Sequence, residues 1–103
     1  MNKTQILVIC RHQEILQTII RLVNSNPDWE CTGANTDQQA IDAFSEIAFD
    51  LVLLGSGIEP SSEEILVAFF RNCRPQVSIV QHYGGGSGLL SAEIYQGLGQ
   101  KAS

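Results

Sequence analysis

The stretch Asp50-Leu51-Val52-Leu53-Leu54-Gly55-Ser56-Gly57 sets the architecture: four consecutive large apolar residues behind an aspartate, closed by a glycine-rich turn. A run this short and this apolar, with no polar residue interleaved, is the signature of a strand buried on both faces. Gln5-Ile6-Leu7-Val8-Ile9-Cys10 repeats the pattern near the start of the chain, and Gln76-Val77-Ser78-Ile79-Val80-Gln81 gives a weaker version. Between them the period changes. From Gln13 to Asn24 the apolar positions Ile15, Leu16, Ile19, Ile20, Leu22 and Val23 recur at three- and four-residue spacing, which predicts an amphipathic helix. Pro27 and its Asn/Ser/Asp neighbours break it, and Trp29 to Ala34 reads as a short edge strand.

Two further helices follow from capping patterns. Thr36 with Gln39 opens one carrying Ala40, Ile41, Ala43, Phe44 and Ile47, and Ser61 with Glu64 opens another carrying Ile65, Leu66, Ala68, Phe69 and Phe70. A last helix is expected around Leu89 to Leu98, with Gly99 to Ser103 frayed. Phe44, Phe69, Phe70 and Trp29 are assigned to the core. Four βα units in succession predict an α/β domain, an open, doubly wound parallel sheet with right-handed crossovers. The whole chain, 1–103, is one domain with a core at about 5–98.

Composition narrows the function classes. Eleven acidic against six basic residues give a net charge of −5, which repels a phosphate backbone and excludes nucleic acid as an expected partner. No run of about 18 apolar residues is present, so no membrane span is expected, and the chain reads as cytoplasmic. Cys10, Cys31 and Cys73 form no CxxC pair, which points to reduced thiols and no disulfide framework. Charged residues make up 17% of the chain against a usual share of about 25%, a surface composition that fits association with another chain.

On element order, on Ile6-Leu7-Val8-Ile9, and on Phe49-Asp50-Leu51-Val52-Leu53-Leu54, the chain resembles the receiver domain of bacterial response regulators, over roughly residues 5–98. The resemblance implies a flavodoxin-like fold, here four strands in the order 2-1-3-4, and a signalling role. Its chemistry has no counterpart here. Receivers carry adjacent acids for magnesium after the first strand, where this chain has Cys10 and Arg11; the phosphoacceptor position falls on Gly55, and the hydroxyl position on Gln81. The receiver's fifth strand, with its lysine, is missing. The resemblance therefore implies a degenerate, non-phosphorylatable receiver, not an enzyme and without a cofactor, that acts by protein–protein interaction.

Other readings attach to particular residues. At the rim where strands end, Arg11, His12, Gly55, Gln81 and His82 adjoin the run Gly84-Gly85-Gly86-Ser87-Gly88, which leads into a helix N-terminus. These residues make a candidate site for a phosphate-bearing anion, the alternative being a flexible turn. Cys10 falls where phosphocysteine-carrying sugar-transport IIB proteins place a nucleophile, yet the bulky Arg11-His12-Gln13-Glu14 that follows suits a phosphate poorly, and a buried inert thiol is the favoured reading. His12, His82 and Cys10 lack metal-ligand spacing, so no metal is expected. With no fifth strand, the strand containing Val77, Ile79, Val80 and Gln81 becomes an exposed edge free of lysine and internal proline. A homodimer through that edge or the last helix is expected, alongside an unidentified signalling partner.

Overall fold

The computed structural model describes residues 3–55, 57–81 and 87–102. Within them the order is β1 (Thr4–Ile9), α1 (Gln13–Asn24), β2 (Trp29–Ala34), α2 (Asp37–Glu46), β3 (Leu51–Leu54), α3 (Pro60–Cys73), β4 (Ser78–Gln81) and α4 (Ser87–Ala102). The four strands form one parallel sheet in the order β2-β1-β3-β4. The expected architecture is the observed one. No helix of the described residues is long and apolar enough to cross a membrane.

The doubly buried runs explain why β1 and β3 are central. Side chains alternate across a strand, so Ile6, Val8 and Cys10 enter one packing layer with Leu16, Ile19 and Val23 of α1, while Leu7 and Ile9 enter the other with Ala40 and Phe44 of α2 and Leu66 and Phe70 of α3. Trp29 lies in the first layer, and Phe44, Phe49, Phe69 and Phe70 pack ring against ring in the second.

The last helix differs from a further crossover unit. Right-handed crossovers running in one direction along a sheet put their helices on one face, as α2 and α3 are. A crossover to a strand beyond β4 would place α4 beside α3. Instead Leu90 and Ile94 of α4 join the α1 layer, and the Tyr95 ring packs tilted against Trp29 with ring centroids 5.0 Å apart. Asn26 Nδ2 donates to the Tyr95 hydroxyl at 3.1 Å. The helix closes the α1 face of the sheet, and at Gly97 it presses on β3 and β4: a Cβ there would lie 2.7 Å from Leu51 Cδ1 and 2.8 Å from Val80 Cγ2.

Element ends depart from the expected ones for local reasons. The third helix begins at Pro60, not at a Ser61–Glu64 capping box, because proline's fixed φ and missing N–H suit the first helical position. Thr36 does cap α2, accepting from the Gln39 N–H at 3.1 Å, but the Gln39 side chain accepts from the Asn35 N–H rather than from Thr36. The last strand is shorter than 76–81, since the Val77 N–H donates to the Arg74 carbonyl in the turn that precedes it. The last helix runs from Ser87 through Ala102, longer at both ends than the expected Leu89 to Leu98.

Candidate functional site

Three strand ends meet at one rim. The β1 end contributes Cys10, Arg11 and His12; the β3 end contributes Gly55 and Gly57; the β4 end contributes Gln81. His82, Gly84, Gly85 and Gly86 lie outside the described residues, and Ser87 and Gly88 open α4.

Gly55 is bound closely into the sheet. Its N–H donates to the Ile9 carbonyl at 2.7 Å, and a Cβ on it would sit 2.9 Å from Cys10 Cβ and 3.0 Å from the Ile9 oxygen. Real Cβ atoms do not approach other carbons so closely, so this position admits no side chain without moving β1 against β3. Gly57 has φ of +85°, a left-handed conformation that glycine adopts without steric cost, and a Cβ there would meet Arg11 Cβ at 2.8 Å. Gly55 and Gly57 thus both lie close against the β1 end. Asp50, the one acid adjoining β3, is at the strand's opposite end, where its Oδ2 accepts from the Gln5 N–H at 2.9 Å.

Arg11 does not reach into the rim as a free cation. Its guanidinium donates to the Asn35 carbonyl at 3.1 Å and pairs with the Asp37 carboxylate at the start of α2. Hydrogen bonding from Arg11 holds the Asp37 carboxyl below the usual aspartate range; burial opposes this, and a hydrogen bond from Ser62 on α3 reinforces it. The Asn35 side chain donates to Gln13 at 2.7 Å, so the ends of β1, β2, α1, α2 and α3 share one polar network. At the β4 side, Gln81 Nε2 donates to Glu63 Oε2 of α3 at 2.8 Å. An open depression over Arg11, His12, Gln13, Glu14 and Ile15 is lined by a single stretch of chain and gathers nothing from the other strand ends.

Of the expected rim residues, the fold brings Arg11, His12, Gly55 and Gln81 to one end of the sheet. Sequence reasoning missed Asp37, Ser62 and Glu63. Asp37 had a signal: the Thr36 capping pattern fixes a helix start at this rim, and an acid in the first turn of a helix belongs there. Cys10 is fully buried, with its thiol directed to the His12 carbonyl at 3.6 Å. Among the described residues, no three His, Cys, Asp or Glu side chains gather in a way that would hold a metal ion.

A receiver domain from a Pseudomonas fluorescens HD-domain protein superposes with a TM-score of 0.83 at 14% identity, covering 98% of each chain. The fold is that of the receiver domain. A CheY-like receiver from Methanospirillum hungatei gives 0.82 at 15% identity over 98% of each chain, and one from Clostridium thermocellum gives 0.81 at 17%, covering 96% of this chain and 97% of its own. No protein-family model and no curated protein matches the sequence. Read on the receiver frame, the residues after the first strand do not suit magnesium, which takes hard oxygen ligands: one is a buried thiol and the next a guanidinium already held by a carboxylate.

Proposed function

We propose that this receiver-fold chain is a signalling protein that takes no phosphoryl group and works by protein–protein contact, with a second copy of itself among its partners. The carrying observation is the crowding at Gly55. In receivers, aspartyl phosphorylation uses a carboxylate at the end of the third strand, beside magnesium held by acids that follow the first. Here that position has no side chain, and Cys10 and the Ile9 carbonyl leave no space for one. The commitment of Arg11 to Asn35 and Asp37 supports contact over capture of a free anion at this rim.

Intact-mass spectrometry after incubation with acetyl phosphate and magnesium tests the reading. The expected result is an unmodified chain under conditions that label an ordinary receiver run in parallel. A stable, hydroxylamine-sensitive phosphoryl adduct would overturn it.

A further inference from the structure

We infer that β4 pairs antiparallel with β4 of a second copy, across a two-fold axis normal to the sheet at Ile79, with the two α3 helices packed side by side. This deepens the contact reading above and rests on it.

Among the described residues, the outer edge of β4 has no strand beside it. The Ser78 N–H donates to the Asp50 carbonyl on the β3 side at 3.3 Å. Backbone groups alternate along a strand, so Ile79 and Gln81 direct their N–H and C=O groups to the other side. Among the described residues no strand pairs with that side. Neither lysine nor proline blunts Ser78-Ile79-Val80-Gln81.

The flank of α3 above this edge indicates what covers it. The Gln81 to Glu63 hydrogen bond places Glu63 on that flank, level with the end of β4. Four-residue steps keep a helix on one side, which adds Val67 and then Arg71: acid, apolar, base. Val67 is half-buried and packs with Ile79 against the same layer, while Arg71 is exposed. The residues three and four away from Arg71 are Val67, Ala68, Arg74 and Pro75, so its own helix offers it no acid.

The heights agree. A strand rises about 3.3 Å per residue and a helix about 1.5 Å, so two residues from Gln81 to Ile79 descend as far as about four from Glu63 to Val67. An axis at Ile79 therefore passes beside Val67. It sets Val67 against the partner's Val67, and Glu63 of each copy opposite the partner's Arg71. The lateral spacing agrees as well. α3 is the crossover between β3 and β4, so its two-fold mate lies about two strand spacings away, roughly 10 Å, the distance at which helices pack. A second copy thus satisfies backbone, apolar and charged groups in one register.

Sedimentation equilibrium over a wide concentration range tests this on wild type, Arg71→Glu, the swap Glu63→Arg/Arg71→Glu, and Ile79→Pro. Arg71 is exposed, so its reversal leaves the monomer folded. Wild type is expected to dimerise, Arg71→Glu to weaken the dimer about tenfold by facing like charges, and the swap to recover most of that loss. Ile79→Pro deletes an outward N–H and is expected to give monomer with unchanged circular dichroism. Val80→Lys is a poorer probe, because Val80 lies under α4 at Gly97. A dimer indifferent to both Arg71→Glu and Ile79→Pro overturns this geometry and leaves the contact reading standing, as does a loss that the swap fails to reverse. A wild-type monomer at every concentration overturns self-association itself. Phosphoryl uptake, measured separately, is what would overturn the unphosphorylated reading.

Discussion

Gly55 and Cys10 face each other across the β1–β3 ladder with no room between them: a Cβ on the glycine would lie 2.9 Å from that of the cysteine. Restoring an acceptor is therefore not a matter of adding a carboxylate. Gly55→Asp is expected to lower unfolding free energy by about 1–3 kcal/mol through overpacking, and to remain unlabelled by acetyl phosphate. Denaturant midpoints and intact mass measure both; a stable, labelled Gly55→Asp protein would contradict the account of this turn.

The Arg11–Asp37 pair makes stability depend on acid. Because the folded-state pKa of Asp37 is lowered, chiefly by Arg11, the unfolded chain binds the proton more readily. The contribution is complete above the unfolded value near pH 3.9 and is lost as pH falls through the folded one. Asp37→Asn is expected to cost about 1 kcal/mol or less at neutral pH, as for other pairs near the surface. Its deficit relative to wild type should shrink to nothing on acidification, and a deficit independent of pH would remove the ion pair as its cause.

The three thiols differ in access. Cys73 is exposed, Cys10 is fully buried, and burial pushes the Cys31 thiol up to about 12. A thiol-reactive probe on the native protein should modify Cys73 quickly and the other two only as the chain opens. Peptide mapping after a brief pulse reads this directly. Prompt labelling of Cys10 would revive it as a nucleophile.

Two glycines of α4 should respond oppositely to the same change. Gly99→Ala meets nothing within 4 Å and is expected to stabilise by up to about 1 kcal/mol from helix propensity. Gly97→Ala drives a methyl into Leu51 and Val80, and its overpacking, about 1–3 kcal/mol, should outweigh that gain. Thermal melts of the pair compare like with like. Equal shifts would mean that α4 does not bear on the sheet at Gly97.

The strands were legible because doubly buried runs such as Ile6–Ile9 and Leu51–Leu54 belong inside a covered parallel sheet, whereas their order came only with the likeness to receivers. The face taken by α4 was not. Its apolar residues mark no narrow stripe, and the choice between faces is made by the gap beside α1 that Leu90 and Ile94 fill. The rim was half legible: local sequence places Arg11 and Gly55 there, but nothing near Arg11 names a partner 26 residues on. The start of α3 turned on proline outranking a serine cap, a competition that pattern matching does not weigh.

Among the described residues, the sheet divides the interior into two compartments that share no side chain, one lined by α1 and α4 and the other by α2 and α3. Sequence distance is therefore a poor guide to which substitutions influence one another. Leu7 and Val8 are chain neighbours on opposite sides of the partition, whereas Val8 and Ile94, near opposite ends of the chain, occupy the same room. Truncations at Leu7 and Val8 are expected to loosen different layers, while those at Val8 and Ile94 are expected to draw on the same one. Tolerance to mutation in this small domain is thus apportioned by side of the sheet, and each side can drift in sequence with little reference to the other.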